Sequence, residues 1–263
     1  ILALLTGLVI IGGIKSIARV TSKLVPFMAL LYVGTALVVI GANFSAIPSA
    51  VSAIITNAFT PEGVTGGVIA VLILGFRRAA FSNEAGIGSS AIAHATVKTD
   101  EPLTQGFVAM LEPFIDTVVI CTITALVIIL TVYDPAMLNE GTIRGVELTS
   151  SAFASVIPWF PSVLAVVVML FAYSTMISWS YYGLEGFVYM FGSKRRTKRI
   201  FNTVFCLFVV VGCTVQLDTV LDFSDAMIFA MALANMLALY LLGPDVKREL
   251  DAYWAKLKTR SSE

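Results

Sequence analysis

The sequence predicts an all-α polytopic membrane protein in which one spanning segment is a broken helix. Hydrophobic residues make up 58% of its 263 positions and charged residues 13%, about half the charge of an average soluble domain. Mean hydropathy is +0.91. The apolar residues fall in runs long enough to cross a hydrocarbon core about 30 Å thick. Within one such passage, from Gly75 to Asp100, the middle is occupied by Ser82, Asn83, Glu84, Gly86, Gly88, Ser89 and Ser90. Backbone that leaves the helical ladder at membrane depth is tolerated only where protein or an aqueous cavity surrounds it.

Formal net charge is zero, so nucleic acid is not suggested, and the information lies in where charges fall. Cys121, Cys206 and Cys213 sit in apolar segments without CxxC spacing, which predicts buried free thiols and neither disulfide nor metal. The first residue is Ile1 and it begins inside an apolar run; the expectation is the C-terminal part of a longer protein.

In order, Ile1 to Ile14 reads as the end of one span, followed by a short basic loop with Lys15, Arg19 and Lys23. Leu24 to Ile40 is the next span, with Pro26 in its first turn, where a missing amide does little harm. Ala50 to Phe59 is a weak amphipathic helix too short to cross, ended by the turn Thr60-Pro61-Glu62-Gly63. The broken segment follows. Its first half runs from Gly66 to about Phe81, and its second, Ile87 to Val97, is about 16 Å long.

A long apolar helix runs from Leu103 to Val132, with Glu112, Pro113 and Asp116 in its first half. Tyr133 to Pro158 is a long loop holding the amphipathic piece Ser150 to Ile157, a pattern that suggests a lid rather than a tether. Phe160 to Phe191 is the next span, changing from apolar to YSTMISWSYYGLEG. The basic loop Ser193 to Arg199, the span Ile200 to Val215, the acidic turn Gln216 to Asp225 and the span Ala226 to Leu242 complete the core. Pro244 to Arg260 is a charged tail with Tyr253, Trp254 and Leu257 on one side, a pattern for a helix at the membrane surface. Basic residues concentrate in alternate loops, while the opposite set carries only Arg144. The positive-inside rule then puts the basic loops and the C-terminus in the cytoplasm, with the protein in the cell membrane.

A broken helix presents carbonyls at the end of its first half and amides at the start of its second. That pair of partial charges suits a zwitterion: carbonyls around Phe81 and Ser82 for an ammonium or small cation, amides near Gly86, Ile87 and Gly88 for a carboxylate. Asn83 donates and accepts in the same cavity. The structural alternative is a kink used only for close helix packing. Thr175 and Ser178, three apart on one helical face, bring together hydroxyl oxygens of the kind a hard cation such as sodium prefers; the alternative is that they bond back to their own helix. Trp179, about twenty residues into its segment, reads as a pocket wall or as core packing. Glu84 is expected to pair with Arg77 or Arg78, or to cap the second half-helix. Glu112, Asp116 and Glu185 read as solvated or paired groups nearer the cytoplasmic ends. His94, the only histidine, reads as a hydrogen-bonded packing residue, with a proton relay as the alternative.

At FSNEAGIGSSAIAHATVKTDEP, followed by QGFVAMLEPFIDTVVICTITALVIIL, the sequence resembles the alanine or glycine:cation symporter family, the sodium:alanine symporters of bacteria and archaea. Arg78, Phe81 to Gly86, Ala93 and His94 correspond to the family's motif, as does Phe114-Ile115-Asp116-Thr117, and the likeness extends to GLVIIGGIKSIARV near the start. Two positions depart from the pattern: Arg77 doubles the arginine, and Ala91 stands where the family frequently has proline.

The resemblance implies the amino acid-polyamine-cation superfamily and a LeuT-type fold of two inverted five-helix repeats, each beginning with a broken helix. On that scheme the chain opens in helix four, the broken segment is helix six and Phe160 to Phe191 is helix eight. It also implies that Phe81, Ser82, Asn83 and Gly86 line an amino acid site with Trp179, and that Thr175 and Ser178 are sodium ligands. Helix one would lie outside the sequence, and the fragment would not transport alone. Residues 1–243 would form the transporter core and 244–263 a cytoplasmic amphipathic tail. The function implied is sodium-coupled import of a small neutral amino acid, alanine or glycine, with no cofactor beyond the coupling ion. Rival readings are a proton-coupled transporter using His94 or Glu84, a non-transporting amino acid sensor, and an intramembrane enzyme. In the last, Ser89 or Ser90 would be the nucleophile and His94 the base, but no third orienting group is evident.

Overall fold

A computed structural model describes residues 1–58, 68–132 and 145–261. The turn expected at Thr60 to Gly63, the start of the first half-helix at Gly66, and the loop 133–144 with Arg144 lie outside them. The described elements are helical: α1 (Leu2–Ile10), α2 (Gly13–Ala42), a 3₁₀ turn (Phe44–Ala46), α3 (Ile47–Ala58), α4 (Val68–Ser82), α5 (Ser89–His94), α6 (Pro102–Pro113), a π-helical segment (Phe114–Cys121), α7 (Thr122–Thr131), α8 (Val146–Ala154), α9 (Phe160–Phe191), α10 (Arg195–Gly212) and α11 (Leu217–Ser261). Four stretches among the described residues are long and apolar enough to span a membrane: Gly13–Ala42, Pro102–Thr131, Phe160–Phe191 and Thr219–Thr259. Large apolar side chains such as Leu30, Met110 and Leu233 point outward along them, as expected where the surrounding solvent is hydrocarbon rather than water.

The chain divides into two compact units, Ile1–Val71 with Val119–Thr214, and Leu72–Val118 with Val215–Glu263. In the first, α2, α7, α8 and α9 share a core of Ala36, Val39, Val127, Ala152, Phe153, Phe160 and Leu164. Phe153 packs tilted on Phe160 with ring centroids 4.8 Å apart and meets Tyr32 edge-on at 5.7 Å, while the Tyr32 hydroxyl lies 2.7 Å from Thr124 Oγ1. The piece Ser150 to Ile157 is therefore core, not lid: burying Ala152 and Phe153 fixes α8 against three spans. A second cluster joins Ile10, Ile17 and Ile177. Small residues allow close approach, since a Cβ on Gly183 would meet Phe201 Cζ at 2.8 Å, the usual means of packing helices where hydrophobicity gives no drive.

Several boundaries differ from those the sequence suggests. Lys15, Arg19 and Lys23 lie not in a loop but on the exposed side of α2. Their spacing of four keeps them on one stripe, Lys and Arg favour helix, and their long stems can reach polar surroundings from within it. The chain turns instead at Gly13, whose φ of +67° is open to glycine, and Pro26 becomes an interior helix residue. Likewise α10 starts within the basic run, at Arg195. Pro244 does not separate a tail, because α11 continues through it to Ser261. One backbone bond is lost there, but Arg248 pairs with Asp245 at 2.9 Å, Tyr253 packs on Phe107 of α6, and Lys256 pairs with Glu101.

Candidate functional site

In the second unit, α4 ends where the Asn83 amide donates to the Ala79 carbonyl at 3.0 Å, and the chain then leaves the helical ladder. Asn83 Oδ1 accepts the Ala85 amide at 3.0 Å, the local turn that asparagine side chains favour. The next residues need left-handed backbone: φ is +56° at Glu84, +83° at Gly86 and +92° at Gly88. Both glycines are the residues that adopt it at least cost. The Ile87 amide donates to the Glu84 carbonyl at 3.3 Å, so this one of the three expected carboxylate-binding amides is already engaged. The second half-helix, α5, covers only Ser89–His94, about 9 Å rather than about 16 Å, because Ala95 to Val97 close into turns.

The break is pinned from two sides. Ser82 Oγ donates to Asp116 Oδ2 at 2.6 Å, and Asn83 Nδ2 donates to Thr117 Oγ1 at 3.0 Å. Asp116 and Thr117 belong to the π-helical segment that follows Pro113. A proline inside a helix removes one backbone bond and crowds the preceding turn, and wide π turns of this kind often mark functional positions. From α11, Asn235 Nδ2 donates to the Gly86 carbonyl at 2.9 Å. Its Cγ would lie 2.9 Å from a Cβ placed on Gly88. Glycine at 88 is thus required by backbone angle and by space together.

The arginines take a partner other than the expected Glu84, while His94 is hydrogen-bonded as expected. Arg77 and Arg78 both reach Asp225 Oδ2, at 2.7 and 2.6 Å, and Asp225 is buried. Glu84 Oε2 accepts from Ser89 Oγ, in the first turn of α5, at 2.7 Å; the contact is to the hydroxyl, and the α5 N-cap, Gly88, supplies no side-chain cap bond. His94 Nε2 lies 3.1 Å from Glu112 Oε1, and Gln105 Nε2 lies 2.5 Å from His94 Nδ1, a packing histidine held on both ring nitrogens.

The residues expected to line a site occupy both units. Phe81 and Ser82 close α4 and are exposed, while Asn83, half-buried, and Gly86 lie in the break. In the first unit, Trp179 is half-buried and meets Tyr182 at 5.7 Å. Ser178 Oγ donates to the Ser174 carbonyl at 2.9 Å, while Thr175 is exposed. Asp116, Thr117 and Asn235 also belong to the site, beyond the residues expected from the sequence. The motif Phe114-Ile115-Asp116-Thr117 did mark the first two, but nothing in the spacing of Asn235 relates it to Gly86.

Apolar helices long enough to span a bilayer, flanking a break held by carboxylate, amide and hydroxyl groups, are the features of a polytopic membrane protein. The model of the sodium:alanine symporter family matches residues 1–263, and the chain belongs to that family, one of transporters and not of enzymes. It is 38% identical over 96% of its length to the sodium/alanine symporter AgcS of Methanococcus maripaludis, covering 55% of that protein. It is 36% identical over 98% of its length to an uncharacterized transporter of Haemophilus influenzae, covering 57% of it. With the probable sodium/glutamine symporter GlnT of Bacillus subtilis it shares 33% identity over 98% of its length and 53% of the relative's. The chain thus spans about half the length of the curated relatives it matches.

Proposed function

We propose that the chain forms part of a secondary active symporter that imports a small neutral amino acid, alanine or glycine, with sodium by alternating access. The observation that carries the reading is the break at Asn83 to Gly88, held open by Asp116, Thr117 and Asn235. Groups fixed in this way give a solute a prearranged set of donors and acceptors where water would otherwise be needed. Family membership and the names of the relatives support transport, sodium and alanine.

In this reading Phe81, Ser82, Asn83, Gly86 and Trp179 contact the amino acid, and Thr175 and Ser178 are sodium ligands. Ser178 would exchange its bond to the Ser174 carbonyl for the ion. The fold would be the LeuT type, with α4 and α5 as the halves of helix six and α9 as helix eight. Residues 1–243 would be the membrane core, and 244–263 a cytoplasmic extension, consistent with the basic loops.

The test is uptake of radiolabelled alanine by proteoliposomes holding the full-length transporter, under an inward sodium gradient and a matched potassium control. Sodium-dependent uptake, weakened by Ser178→Ala, is the expected result. Sodium-independent uptake that follows a proton gradient would overturn the ion assignment, and absence of uptake by inserted, folded protein would overturn transport.

A further inference from the structure

We propose that the groove between α1 and α10 is a binding site for an anionic phospholipid. The cavity encloses about 770 Å³ and is lined along its length by Leu4, Gly7 and Ile11 from α1 and by Cys206, Leu207 and Val210 from α10. One end is different. Arg195, Lys198 and Arg199 line it there, with Asn202 and Thr203 between the cations and the apolar walls. On α10 the spacing Arg195, Arg199, Asn202, Cys206 repeats every three or four residues, which keeps charge, hydrogen-bonding groups and apolar wall on one helix face. Gly7 sits level with Cys206, where a Cβ would meet the sulfur at 3.4 Å, and the absence of a larger side chain there leaves the floor of the groove open.

Charge complementarity selects the occupant. Among the described residues, no carboxylate lies within ion-pairing distance of Arg195, Lys198 or Arg199, and all three are exposed. The N-terminus of the eighteen-residue α10 adds its positive end to the same spot. A phosphate is the group such an end attracts, with Asn202 and Thr203 able to donate to its ester oxygens. From Arg195 to Val210 the helix rises about 22 Å, enough to follow a headgroup and most of one leaflet's hydrocarbon of about 15 Å. A zwitterionic lipid offers the same chain but sets its own ammonium against the cations, so the site discriminates by headgroup. Basic pockets between spanning helices on the cytoplasmic side recognise acidic headgroups on this principle.

The test uses the full-length transporter in detergent with Leu207→Trp as reporter, reading the fluorescence difference from the parent protein. Phosphatidylglycerol and phosphatidylcholine with identical brominated chains are titrated as quenchers. Leu207 lies in the groove and is 60% exposed; Leu233→Trp, on α11 outside it and at a site 72% exposed, is the control. Phosphatidylglycerol should quench the reporter at a concentration lower by on the order of a hundredfold, each of the three cations contributing about fivefold, while the control responds equally to both lipids. Combining Arg195→Gln, Lys198→Gln and Arg199→Gln should abolish the preference at Leu207→Trp with the melting temperature unchanged. Should the triple variant fail to fold, single changes at Arg195 and Lys198 should each reduce it severalfold. Equal quenching by both lipids, a preference that survives neutralisation, or no quenching at all because another segment fills the groove would each overturn the proposal.

Discussion

Gly88→Ala tests whether the break is held by the fit between Gly88 and Asn235. Two separate penalties apply. A φ of +92° in an alanine costs about 1–2 kcal/mol, and a Cβ at 2.9 Å from Asn235 Cγ adds an overpacking cost of about 1–3 kcal/mol. The total is about 2–5 kcal/mol. Asn235→Ala alone removes one hydrogen bond to the Gly86 carbonyl and costs about 1 kcal/mol. The double variant removes the two contacts at 2.9 Å and leaves only the Cβ of residue 235 at 3.2 Å, so it keeps chiefly the backbone strain and the lost bond, about 2–3 kcal/mol. It should therefore be more stable than the sum of the singles by about 1–3 kcal/mol, a coupling that a double-mutant cycle measures. The assay is thermal melting in detergent, scored against the parent, with alanine uptake as a second readout. At about 2–4 °C per kcal/mol for a chain of this size, the coupling corresponds to several degrees. Strict additivity, or a Gly88→Ala variant as stable as the parent, would refute the assignment of Asn235 as the clamp.

Asp225→Ala leaves two guanidinium groups without their shared acceptor. With Arg77 and Arg78 side chains 35% and 43% exposed, the loss should fall at the lower end for breaking such a group, about 3 kcal/mol; Asp225→Asn should cost less because its amide oxygen still accepts, and melting curves give the order. Asp116→Asn weakens a charge-assisted bond to Ser82 by about 1–1.5 kcal/mol, which predicts roughly tenfold lower alanine uptake with near-normal insertion. His94→Gln preserves a polar group able to bond Gln105 and Glu112, so sodium-driven uptake should persist; its abolition would favour a proton relay through His94.

How far the sequence revealed this arrangement depends on the range of the interaction. Hydrophobic runs and the polar interruption at Ser82 to Ser90 are local, and they located the spans and the break; Phe160 to Phe191 emerges with both ends as expected. Ends set by later packing were less legible. Pro244 looks like a stop when read alone, but the contacts of Tyr253 and Lys256 with α6 carry the helix past it. The partners of the break are more than thirty residues away for Asp116 and about 150 for Asn235, and no local periodicity encodes such pairings. Position along a straight helix leaves Asp116 either solvated or paired; the structure pairs it, with a partner the sequence does not name. The π-helical segment after Pro113 shifts that frame and turns the carboxylate onto Ser82.

Protection of the break by solute reveals whether it is the binding site. Cys121, Cys206 and Cys213 are replaced by alanine in the full-length transporter, and Ala85→Cys is introduced beside Asn83, where the side chain is exposed. The rate of labelling by a small polar thiol reagent is then measured with sodium alone and with sodium plus alanine. If the break is the solute site, alanine should slow labelling severalfold when sodium is present and have no effect in potassium. Labelling that ignores alanine in a variant that still transports it would contradict the account and move the site elsewhere.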